Sequence, residues 1–80
     1  MTRSAYTEKE LQLLVESQAV REVVVMRTDD GERWQLQARR GSRLIPIRSK
    51  RENPRTWASL DTLENFTRSI GIPSFHVESL

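Results

Sequence analysis

The segment RWQLQAR, residues 33–39, alternates without a fault. Trp34, Leu36 and Ala38 point to one side of an extended chain, and Arg33, Gln35, Gln37 and Arg39 point to the other. A period of two marks a strand with one face covered and one face polar, the usual state of an antiparallel sheet. Such a strand needs paired neighbours and a second layer over its apolar side.

The flanking segments supply the neighbours. VREVVVMRT, residues 20–28, is short and β-branched, which favours a strand. DDGE follows it, and Asp and Gly tolerate the positive φ that tight hairpins demand. RGS marks the next turn, and RLIPIRS reads as a third strand with Ile45 and Ile47 inward. Pro46 cannot donate to a ladder, so this strand is expected at an edge or with an irregularity there. KRENP reads as a loop, and RTWA as a brief extended return that buries Trp57.

Two helices supply the covering layer. In AYTEKELQLLVESQA, Thr7 and Glu10 form a capping box and Tyr6 can staple onto Leu11. Leu11, Leu14 and Val15 then trace a narrow stripe, predicting a helix over residues 7–18. In SLDTLENFTRSIG, Ser59 caps, Asp61 occupies the first turn, and Leu60, Leu63, Phe66 and Ile70 form the buried face. Gly71 suits a left-handed helix end, and Pro73 stops continuation. SFHVE closes as a short strand with Phe75 and Val77 inward. The expected fold is a small single α+β domain over residues 1–80, in the order α-β-β-β-α-β. Its sheet is antiparallel with both helices on one face, and residues 1–5 form a flexible N-terminal tail. Trp34, Leu36, Trp57, Leu63 and Phe66 are expected to pack together.

With 80 residues the chain sits near the size at which one apolar core can support a fold. It has no cysteine, so neither a disulfide framework nor a thiolate metal site can form. No apolar run approaches the roughly 20 residues a membrane helix requires. MTRSAYTEKE lacks a signal-peptide core, so a cytoplasmic location is expected. Catalysis needs convergent titratable groups. Here His76 is the single histidine, and its place between Phe75 and Val77 predicts an exposed strand residue. No phosphate loop, calcium loop or histidine pair is present. The expectation is a non-enzyme without cofactor or metal.

Charge is the informative remainder. Residues 33–55 carry eight basic groups against Glu52, a net charge of +7, between segments of −3 (residues 1–32) and −2 (residues 56–80). Arginine supplies eleven of the thirteen basic side chains, and its planar fork suits phosphate and guanine. A GC-rich genome would also favour arginine, so position says more than usage. Arg33, Gln35, Gln37 and Arg39 share the polar face of one strand, and Arg and Gln read guanine and adenine edges in the major groove. Arg40, Arg43, Arg48, Lys50, Arg51 and Arg55 would flank them and meet phosphates. The alternatives are a basic surface that docks an acidic protein, or a solvated polar face. The first helix, with Glu8, Glu10 and Glu16, is expected to avoid DNA.

RTWASLDTLENFTRSIGIPSFHV together with AVREVVVMR resembles the small plasmid-encoded ParC-type partition-associated proteins. The likeness rests on an SLDTL helix start after an aromatic, a GI helix end and a closing F-x-V strand, and it spans nearly the whole chain. It implies an accessory role in plasmid partition and maintenance, beside a ParA-type ATPase, with DNA or a partition protein as partner. The chain is also similar to three-stranded DNA-binding domains of the AP2 and integrase-arm type, whose sheet enters the major groove. It departs from them by an added N-terminal helix and a final strand, either of which could cover the sheet face that would meet DNA.

Overall fold

Thr7 and Glu10 cap each other as their spacing predicts. In the computed structural model, which describes residues 5–78, the Glu10 N–H donates to Thr7 Oγ1 at 3.1 Å. The Thr7 N–H returns the bond to Glu10 Oε1 at 2.9 Å. Helix α1 (Glu8–Glu16) follows directly from a two-residue strand, β1 (Tyr6–Thr7). Tyr6 and Leu11 are both buried in the core. Of the expected tail, residues 1–4 lie outside the described residues, and Ala5 is buried.

Helix α1 stops two residues short of expectation because the chain turns left-handed at Gln18, φ 63°. The Ala19 N–H reaches Leu14 O at 2.8 Å and the Gln18 N–H reaches Val15 O at 3.0 Å. This is the two-bond helix ending usually built on glycine. An L-residue in this conformation costs about 1–2 kcal/mol, part of which glycine would return to unfolded-chain entropy. Gln18→Gly is therefore expected to raise stability by about 0.5–1 kcal/mol in a urea titration. A lower midpoint would mean that the glutamine side chain compensates its own strain. Helix α2 (Leu60–Ser69) ends the same way on the glycine that sequence indicates. Gly71 has φ 91°, and Ile72 N–H and Gly71 N–H bond to Thr67 O and Arg68 O.

Strands β2 (Val23–Arg27), β3 (Trp34–Arg40), β4 (Arg43–Arg48), β5 (Thr56–Trp57) and β6 (His76–Glu78) complete the sheet. Its order is β1-β4-β3-β2-β6, with β5 also beside β3. The sheet is mixed rather than antiparallel throughout, because β1 runs parallel to β4 and β6 parallel to β2. A hairpin must reverse the chain, whereas a strand separated by a helix is free to lie parallel. Only the hairpins left a local signature. The β3–β4 hairpin turns on Gly41 and Ser42, with φ positive only at Gly41 (61°), as in a type II′ turn.

Pro46 marks an irregularity, and up to that residue β4 has β3 on one side and, among the described residues, a free edge on the other. Gln37–Pro46 is the last pair between β3 and β4. From Ile47 onward β4 pairs with β1 instead, and β5 takes the vacated place beside β3. The missing proline N–H falls where the strand changes partner.

Leu11, Leu63, Ile70 and Ile72 share one buried cluster with Val23, Val25, Leu36, Ala38, Ile45, Ile47 and Trp57. Both helices therefore cover the same face of the sheet. Trp34 and Phe66 are only half-buried at its margin. Val77, expected inward, is 50% exposed because β6 has a free edge. Among the described residues no helix is long and apolar enough to cross a membrane.

Candidate nucleic-acid interface

Alternation places Val24, Met26, Gln35, Gln37, Leu44 and Pro46 on the sheet face away from the helices. Helices α1 and α2 lie on the other side and β6 extends the sheet at its edge, so neither helix covers this face. Val24 at its centre is nevertheless buried, and its neighbours Met26, Gln35, Gln37, Leu44 and Pro46 are half-buried. Gln37 stands at its centre, opposite Val24 on one side and Pro46 on the other. Gln35 and Gln37 are half-buried, and their side chains make no hydrogen bond with the described residues.

The two arginines of the same set are engaged. Arg39 Nε lies 3.4 Å from Glu22 Oε1, a half-exposed pair on the outer surface. Arg33 donates through Nε to Thr56 Oγ1 at 2.6 Å, and the Thr56 hydroxyl donates to Glu52 Oε2 at 2.8 Å. The Thr56 hydroxyl and N–H together hold the Glu52 carboxyl below the usual glutamate range, helped by Arg33 and Arg55. The unfolded chain thus takes up a proton at Glu52 before the folded chain does. Its contribution is full above the ordinary glutamate value of about 4.3 and is lost as pH falls through the lower folded value. Glu52→Gln should therefore narrow the drop in urea midpoint between pH 6 and pH 3; an equal drop in both proteins would remove Glu52 from the acid response. Asp30 is held low similarly, by the Thr28 hydroxyl and the Glu32 N–H in the β2–β3 turn.

Arg55 serves the fold. It forms an ion pair with Glu8 and lies over the rings of Trp57 (4.5 Å) and Phe66 (5.2 Å). It thereby ties α1 to β5 and α2.

The remaining five basic residues of the expected surface have no ion pair with the described residues: Arg40, Arg43, Arg48, Lys50 and Arg51. They form two groups, not one patch. Arg40 and Arg43 face each other across the β3–β4 turn. Arg48, Lys50 and Arg51 lie at the far end of β4 and in the loop beyond. Five residue steps separate Arg43 from Arg48, about 17 Å of strand. Arg48 shares the face of Gln37, whereas Arg40 and Arg43 alternate toward the helix side and project at the turn. The sequence reading missed Glu22, Glu52 and Thr56, because no spacing rule links a strand to the loop that folds against it.

His76 is exposed on β6, as its neighbours imply. Among the described residues no three His, Cys, Asp or Glu cluster as metal ligands would. Neither family models nor curated proteins match this chain.

Proposed function

We propose that this chain is a non-enzymatic, DNA-binding accessory protein of plasmid partition, acting in the cytoplasm beside a ParA-type ATPase. The partition role rests on the ParC-type resemblance. The DNA role rests on one observation: the sheet face away from the helices carries half-buried Gln35 and Gln37, whose side chains make no hydrogen bond with the described residues. Arg48 lies on the same face, and Arg40 and Arg43 project at the β3–β4 turn beyond its other end. The major groove is about 12 Å wide and admits a β-ribbon. Cations about 17 Å apart along β4 suit phosphates on either side of it, while the glutamines meet adenine edges.

A second reading has its own support. Met26, Leu44 and Pro46 give the same face half-buried apolar area, which suits an adaptor that docks an acidic protein without touching DNA. Titrating labelled random and plasmid-derived duplexes at low salt separates the two. DNA binding predicts saturable association, with Gln35→Ala or Gln37→Ala changing sequence preference by about 1–3 kcal/mol per lost base contact. Absence of any duplex binding would end this reading in favour of the adaptor.

A further inference from the structure

A second feature lies where β4 runs past the start of α1. A cavity of about 320 Å³ opens there, lined by Thr7, Glu8, Lys9, Arg48, Ser49 and Lys50. Glu8 is its single acid, and that carboxylate is already paired with Arg55. Lys9, Arg48 and Lys50 make no ion pair with the described residues, so three uncompensated cations border one space. Ser49 Oγ accepts from the N–H groups of Glu52 (3.1 Å) and Arg51 (3.3 Å). With its lone pairs used, the hydroxyl has only its proton left to offer, as a donor. Three cationic side chains and a donor hydroxyl lining one opening are the kinds of group that bind a tetrahedral oxyanion. The capping box already occupies Thr7 N–H and Glu10 N–H, and the formal positive charge at the notch is that of the Lys9, Arg48 and Lys50 side chains.

We infer that this notch seats a phosphate group of the duplex backbone, with Lys9 of α1 as a contact that the acidic character of that helix conceals. The inference rests on the DNA reading and adds a position to it. Arg48 belongs both to the notch and to the open sheet face, so a backbone crossing that face ends in the notch.

The test compares Lys9→Gln with Glu16→Gln, a change at the opposite end of α1, in duplex titrations over a range of salt. Titration with inorganic phosphate is followed by amide NMR at Thr7, Lys9, Ser49 and Lys50. Lys9→Gln is expected to weaken every duplex about three- to tenfold at 0.1 M salt and to flatten the logarithmic salt slope by about one. Glu16→Gln should leave affinity within about twofold, and phosphate should shift the notch amides of the parent protein. Duplex binding that persists unchanged in Lys9→Gln overturns the notch and leaves the sheet reading standing. If the parent protein binds no duplex, the sheet reading falls and the phosphate titration decides alone. Shifts confined to the notch then keep it as an oxyanion site, and their absence removes it.

Discussion

Leu63→Ala is expected to lower the melting temperature by roughly 10–30 °C. Leu63 is fully buried on α2, in the same cluster as Leu36, Ile47 and Trp57. Truncating a buried leucine removes its transfer free energy and leaves a cavity, together about 2–5 kcal/mol. In a domain this small each kcal/mol moves the midpoint by about 4–8 °C. Total stability at this size is on the order of 4–12 kcal/mol, so the loss is a large fraction of the whole. Phe66→Ala should cost less than the roughly 3–5 kcal/mol of a fully buried phenylalanine. Its ring is only half-buried, between Trp57 (centroids 5.3 Å apart) and the Arg55 guanidinium. A Leu63→Ala variant that melts with the parent would mean that α2 does not cover the sheet.

Duplex affinity is expected to fall steeply with salt. Five cations of the expected surface make no ion pair with the described residues, and each phosphate contact releases about 0.9 of a counterion from B-form DNA. The logarithmic slope should lie near −4 to −5, a loss of several hundredfold between 0.05 and 0.2 M salt. Arg51→Ala should weaken all duplexes alike and flatten the slope by about one unit. Arg55→Ala should leave the slope nearly unchanged, because Arg55 is committed to Glu8 and two rings. A slope near zero would exclude a phosphate-led interface.

Legibility in the sequence followed locality. The capping box at Thr7, the Ser59 cap, the Gly71 helix end and the alternation of β3 depend on residues within a few positions, and all could be read directly. The parallel placement of β1 and β6 could not, since pairing between strands distant in sequence is set by how helices return the chain. Gln18 was missed because a non-glycine in the left-handed region has no compositional flag. At the candidate interface the sequence identified the basic segment but not its division. Whether an arginine is free depends on acids such as Glu8, Glu22 and Glu52, which only the folded chain brings close. Pro46 shows the limit well: its missing donor announced an irregularity, but not that the strand would change partner.

That change of partner is also expected to divide the domain kinetically. Beyond Pro46, β1 and α1 are attached through two residue pairs, the buried side chains of Ala5, Tyr6 and Leu11, the partly buried Leu14 and Val15, and the Glu8–Arg55 ion pair. Strands β2, β3 and β4 share longer ladders. Local opening follows such differences in attachment. Amide protons of α1 should therefore exchange with deuterium through a partial opening, while those of β3 wait for global unfolding. The proposed phosphate notch spans this seam, with Lys9 on the detachable side and Arg48 on the other. A bound backbone phosphate would then slow exchange in α1 selectively, making nucleic acid a clasp between α1 and the longer-paired strands.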